Sequence, residues 1–405
     1  MLRLSIVCRF VDLYTWFLDC GKNYEREFHM SGFEKICGPV LYLLMAPLSM
    51  AGCGSGQPTM SDSSMEFIAP QQVNAAVEAV TQASLFKNVS LSSATPTSPA
   101  LPTDSVFAPT SFWYQPIPAN VQLHQNSSNF VAEFLRQKET YYKTVGLNTS
   151  SYASPVYIAG TTTQTKQVSY WDCQRKGYIP GGLVLQWNAV PIVEGAIPAD
   201  GTDAEMTVYQ PSTDSLWEFW KIRSLDGQWS GCWGGQMQNV SASSGIWPAP
   251  YGTTATGLPF IGGQITAEEL SRGEIRHVIG ISLVDAEDSS IVSWPANRSD
   301  GYNPTNAPNR IPEGTRFRLN PDVNLDTLSL HPMGKIIAKA AQKYGFVVWD
   351  KAGALTLRLQ NPKSYTAVGK ADPYPALFNG TPSYAILKNV PWDQLQFLPF
   401  NYGKP

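Results

Sequence analysis

The sequence predicts a mainly β protein: an antiparallel β-sandwich or jelly-roll-like domain with one or two packed helices, one of them in the C-terminal region. Three observations carry this expectation. Glycine (32) and proline (31) are abundant and aromatic residues make up 12% of the 405 residues, whereas charged residues make up only 15%, a balance that favours short strands and turns over long helices. Apolar and polar residues alternate in several short runs. The third observation is a hairpin within Glu205–Asn239, EMTVYQPSTDSLWEFWKIRSLDGQWSGCWGGQMQN, which holds four of the twelve tryptophans. It turns at Asp226-Gly227, a dipeptide that supplies the positive φ angles of a tight hairpin, through either a two-residue Asp-Gly loop or a four-residue Ser224–Gly227 loop.

The chain divides into an N-terminal extension with a signal-like segment (1–52), a Ser/Thr/Pro-rich tether (53–106) and a single β-rich globular domain (107–405). From Met30 the sequence runs MSGFEKICGPVLYLLMAPLSMAGCGSG: one lysine, an apolar run, then Met50-Ala51-Gly52-Cys53. This resembles a bacterial lipoprotein signal, in which small residues precede a cysteine that is acylated. It implies export and lipid attachment at Cys53, the alternatives being ordinary secretion or a membrane anchor. Residues 1–29 fit no signal architecture, which places the expected initiator at Met30. The apolar run is short and interrupted by Pro39 and Pro47, which makes it a poor candidate for a spanning helix. Segment Ser90–Thr103, SLSSATPTSPALPT, has linker composition and holds the folded domain off the membrane; a short amphipathic helix fits Gln71–Phe86.

Each element of the domain follows from local pattern. Trp113–Pro118 is extended and proline-fixed, and Ser127–Tyr142 has helical spacing at Phe130, Phe134 and Leu135. Strands are expected at Pro155–Ile158, Gln167–Trp171 and Leu183–Trp187, then the hairpin. Its parity puts Leu216, Glu218, Trp220 and Ile222 on one face with Trp229, Gly231, Trp233 and Gly235. A carboxylate is thereby expected inside an aromatic wall. Thr266-Ala-Glu-Glu269 is a capping box, which assigns Glu269 a structural job. Glu274–Val284 alternates as a strand with His277 among the isoleucines, and in Glu313–Leu319 Arg316 and Arg318 share a face opposite Phe317 and Leu319. Pro332–Tyr344 is a helix opened by proline and stopped by Gly345. Phe346–Trp349 and Ala354–Leu359 make a second expected hairpin, and Pro391–Phe397 closes an edge.

The set Tyr170-Trp171-Asp172, Leu216-Trp217-Glu218-Phe219-Trp220, Thr256-Gly257-Leu258-Pro259, Gly273-Glu274-Ile275-Arg276-His277 and Pro312-Glu313-Gly314-Thr315-Arg316 resembles a group of exported bacterial proteins with no established activity. That resemblance implies export and one β-rich domain. The tryptophan-rich two-sheet pattern is loosely similar to concanavalin-type glucanases and lectins, which is fold analogy only.

The net charge of −3 has interspersed signs, so no basic footprint points to nucleic acid. There is no P-loop, GxGxxG, HExxH or GxSxG, and the four histidines do not suggest a metal centre; no cofactor is expected. Cys173 and Cys232 make either a disulfide or two buried thiols. The aromatic wall points to a glycan or another cell-surface component as partner. A glycoside hydrolase needs two carboxyl groups across a cleft. Glu218 fits the acid, Asp172 or Asp300 its partner, and Trp220, Trp229 and Trp233 the sugar platform; the plainer account of Glu218 is a hydrogen-bonded strand carboxylate. A uronate lyase would instead use Arg316 and Arg318 on the sugar carboxylate and His277 or a tyrosine as base; the plainer account of His277 is a core histidine. The third class is a non-catalytic envelope lipoprotein that binds glycan or a surface protein.

Overall fold

The computed structural model describes residues 105–405. The signal-like segment, Cys53, the tether as far as residue 104 and the Gln71–Phe86 helix lie outside the described residues. Helix α1 (Ser127–Thr140) precedes strands β1 (Gly146–Asn148), β2 (Val156–Ile158) and β3 (Val168–Tyr170), then helix α2 (Gly181–Gln186) and strand β4 (Met206–Gln210). The hairpin is β5 (Ser215–Leu225) and β6 (Gln228–Gln238), followed by helices α3 (Phe260–Gly263) and α4 (Ala267–Arg272). Strands β7 (Ile279–Leu283) and β8 (Arg316–Leu319) come next, then helix α5 (Pro332–Lys343) and strands β9 (Phe346–Lys351) and β10 (Thr356–Arg358). Short helices α6 (Lys363–Thr366) and α7 (Tyr374–Phe378) and the edge strand β11 (Leu395–Phe397) complete the chain.

The strands form a six-stranded sheet, β1-β10-β7-β9-β8-β11, and a five-stranded sheet, β2-β4-β5-β6-β3. The protein is mainly β, but both sheets are mixed, which corrects the antiparallel expectation. The pairs β1/β10, β7/β9, β2/β4 and β3/β6 run parallel. Alternation could not reveal this, because parallel and antiparallel strands share the same two-residue side-chain period. Two local expectations also change. Leu183–Trp187 belongs to helix α2 and its cap rather than a strand; Leu183 and Trp187 are four apart, so one helix face buries both in the same core. Strands β9 and β10 do not form a hairpin, because β7 lies between them, parallel to β9 and antiparallel to β10.

Three cores hold these layers together. On one side of the six-stranded sheet, Ile279, Ile281 and Leu283 of β7 and Phe317 and Leu319 of β8 meet Phe130 and Phe134 of α1 and Ile337 and Ala341 of α5. Helix α5 forms there because its apolar residues recur every three or four positions. Pro332 starts it without a wasted amide, and the His331 side chain accepts the Met333 amide. A second core joins the sheets: Tyr209, Leu216 and Met237 from the five-stranded one, Val347 and Trp349 from the other, with Trp113, Trp247 and Phe260. The third lies on the far side of the five-stranded sheet, around Trp187, Trp217 and Phe219.

Candidate functional site

The hairpin turn is the two-residue Asp226-Gly227 loop, with φ of 49° and 77° and Leu225 paired to Gln228. Only a residue tolerant of positive φ fits each place, and glycine fits at no steric cost. The expected parity also holds: Glu218 pairs with Gly235, Trp220 with Trp233 and Ile222 with Gly231. The environment does not follow from it. Midway along the hairpin Lys221 takes φ 54° and Gly234 φ 155°, and the Lys221 and Ile222 amides leave the hairpin ladder for the carbonyls of Asp203 (2.6 Å) and Ala204 (3.2 Å). The ribbon rolls at this point. Leu216 belongs to the core between the sheets, whereas Ile222, Trp229 and Trp233 pack with Trp187 on the opposite side.

Glu218 therefore does not sit among the hairpin tryptophans. It is 0% exposed and accepts hydrogen bonds from Thr253 Oγ1 (2.9 Å), the Ile261 amide (3.0 Å), Trp247 Nε1 (3.3 Å) and Thr207 Oγ1 (3.5 Å). Burial pushes its carboxyl up to about 6 despite these donors. The arrangement pins the 247–261 loop to the sheet. It is the plainer of the two accounts.

Trp171, Trp220, Trp229 and Trp233 are each half-buried in or beside the distal hairpin. Trp233 stacks on Tyr251 with centroids 6.4 Å apart. Lys221 lies 4.6 Å over Trp220, Lys176 5.4 Å over Trp233 and Arg223 3.7 Å over Trp171. None of these cations makes an ion pair with a carboxylate of the described residues; Arg223 Nε donates to Ser230 Oγ at 3.2 Å. Cys173 and Cys232 are bonded (S–S 2.08 Å), which ties the Lys176 loop to β6. Asp172 accepts the Lys176 and Gly177 amides at 2.9 and 2.8 Å. These bonds hold its carboxyl below the usual range, and its role is to form that turn.

The other proposed residues lie apart, with no hydrogen bond or ion pair joining them to Glu218. His277 is buried between the Val278 carbonyl (2.8 Å from Nδ1) and Glu269 (Nε2–Oε1 3.2 Å). Burial disfavours its charged form, but the carboxylate and carbonyl outweigh this and hold its pKa above the ordinary value. Glu269 is meanwhile engaged by the capping box, receiving the Thr266 amide and hydroxyl at 2.9 Å each. The two residues border a cavity of about 70 Å³ shared with Tyr114, Gln264 and Gln360, room for a few waters and not for a sugar ring. Arg316 is buried, donates to the Tyr344 carbonyl at 3.0 Å and lies 5.6 Å over the Phe112 ring; burial lowers its pKa to about 10. Arg318 bonds Gln396 and the carbonyls of Pro118 and Ala119. Both arginines tie chain segments together.

Asp300 does have acidic neighbours, though not Glu218. One carboxylate oxygen from each of Asp300, Glu313 and Asp350 lies within 4.8 Å of the others. Asp350 arrives by a bulge: Ile281 pairs with Val348 but Ser282 with Asp350, passing over Trp349. Its Oδ2 accepts from Arg358 (2.8 Å), and Arg358 also faces Glu205 at 3.5 Å. Burial is the largest cause that raises these acids, Asp350 to about 6 and Glu205 to about 7 against the pull of Arg358; Glu313 also rises, through burial and then Asp300. Sequence reasoning missed Glu205, Glu313, Asp350 and Arg358. The one available signal was Pro312-Glu313-Gly314, a carboxylate in the tight approach to a strand. No family model, curated protein or solved structure matches this chain.

Proposed function

We propose that this protein is an exported, lipid-anchored component of a cell envelope that binds glycan through the distal half of β5–β6, with acidic polysaccharide as the favoured class. The observation that carries the reading is the set of half-buried rings, Trp171, Trp220 and Trp233, each with a cation over it and no ion-paired acid. Indole faces suit the C–H face of a sugar ring, and cations beside them attract a uronate carboxylate. Binding is favoured over cleavage because Glu218 is sealed in the core between the sheets and Asp172 is engaged by two backbone amides. Hydrolysis would need two carboxyl groups facing the same sugar. Export is supported by the Met50–Cys53 segment and by the Cys173–Cys232 bond, which belongs to oxidising compartments.

The test is affinity electrophoresis of the full chain against neutral and uronate-containing polysaccharides, with the incubations also read for reducing ends and unsaturated uronate. Acidic polysaccharides should retard the protein, and the double variant Trp220→Ala, Trp233→Ala should weaken this at least tenfold. Unretarded migration in every polysaccharide, or unchanged binding by the double variant, would reject the proposal. Loss of lipid incorporation in Cys53→Ser tests the anchor.

A further inference from the structure

We infer that Asp300, Glu313 and Asp350 form a binding site for a divalent, oxygen-seeking cation of calcium size. Because their nearest oxygens lie within 4.8 Å of one another, an ion seated among them is at most about 2.8 Å from each, close to the roughly 2.3–2.6 Å of calcium–oxygen bonds, and water completes the shell. Every donor is a carboxylate, with no imidazole or thiolate, which favours a hard cation over zinc or copper. A separate observation points the same way. Glu313 is 0% exposed, and its Oε1 has no hydrogen-bond partner, while Oε2 takes the Asp300 amide at 3.1 Å. A buried carboxylate oxygen left without a partner is costly, and a cation removes that cost.

The surroundings are prearranged. The Glu313 carbonyl accepts the Ser293 amide at 2.9 Å and the Gly314 amide donates to the Val348 carbonyl at 2.7 Å, so Glu313 is fixed against the backbone of β9 just before Asp350. The charge also suits a dication. Arg358 pairs with Asp350 at 2.8 Å, the Lys351 ammonium meets only the backbone carbonyl of Asp300 at 3.3 Å, and the half-buried Arg298 lies near enough to act on Glu313 and Asp350, so three carboxyl groups face cations whose only salt bridge to them, among the described residues, is that of Arg358.

The inference is independent of glycan binding and is tested without a sugar. The full-length protein is stripped with chelator and titrated calorimetrically with calcium chloride. The expected result is one calcium ion per chain and a melting temperature several degrees higher at saturation. Asp300→Asn, at an exposed position, should weaken binding at least tenfold, and Glu313→Gln should abolish it. Absence of heat and of any melting shift in millimolar calcium would overturn the site. So would calcium affinity in Asp300→Asn equal to that of the parent, and magnesium binding as tightly as calcium would overturn the assigned ion size.

Discussion

Replacing Glu218 by alanine separates a strut from a reagent. The change leaves the Ile261 amide, the Thr253 hydroxyl and the Trp247 indole N–H without the acceptor they share. Hydrogen bonds to a charged group are worth about 1.5–3 kcal/mol each; the low end for three gives a loss of about 5 kcal/mol. Against this stands the relief of a desolvated carboxylate, whose rise from 4.5 to about 6 corresponds to about 2 kcal/mol. The net expectation is a loss of about 3 kcal/mol, before any cavity cost. The pH dependence has a definite sign. A carboxyl whose folded pKa is raised imposes no penalty below its unfolded value near 4.5 and its full penalty above about 6. The parent's advantage over the variant should therefore be larger at pH 4.5 than at pH 7.5. Urea denaturation followed by tryptophan fluorescence at the two pH values measures both numbers. A variant within about 0.5 kcal/mol of the parent, where surface substitutions usually fall, would refute the structural role, as would an advantage that grows with pH.

Three further outcomes follow from the same contacts. Replacing Cys173 and Cys232 together by serine releases a 59-residue separation and should cost about 4 kcal/mol in urea denaturation on the chain-entropy model. Thr266→Ala removes the hydroxyl half of the capping box at α4 and should lower stability by about 1 kcal/mol, read as a fall in melting temperature. His277 has a raised pKa in the folded chain, so its contribution is complete below the unfolded value near 6.5 and is lost as pH rises through the folded value. An imidazole NMR titration should show a midpoint above 6.5, and His277→Gln should flatten the decline of melting temperature between pH 6 and 8.

What the sequence disclosed was local chemistry. Asp226-Gly227 announces its turn because few residues accept two successive positive φ angles, and Thr266 with Glu269 announces a helix start because the two side chains satisfy each other's backbone donors. Phe317 with Leu319, and Ile279 with Ile281, name their shared core by period alone. Long-range pairing left no such mark. Nothing near Phe346–Leu359 says that a strand some seventy residues earlier will enter between its two halves. The acidic group is hidden for the same reason: Glu205, Asp300, Glu313, Asp350 and Arg358 come from separate segments and meet only through the sheet order. The hairpin was misjudged more subtly. Its side-chain parity was correct, but parity describes a flat ribbon, and the roll at Lys221 and Gly234 sends its two halves to different cores.

That roll also divides the hairpin mechanically. The half containing Leu216 and Met237 packs into the core between the sheets, while the half ending at Asp226-Gly227 presents exposed residues at Arg223–Leu225 and is held by Ile222 and Trp229 in the third core and by one disulfide. Opening energies in proteins vary with local packing, so amides of a single strand pair can exchange by different routes. Here the proximal amides should exchange only when the whole domain unfolds, and those of the exposed Arg223–Leu225 end through a smaller excursion that spares the core between the sheets. The tip of the hairpin can thus open while the strands that carry it stay fixed in the core between the sheets.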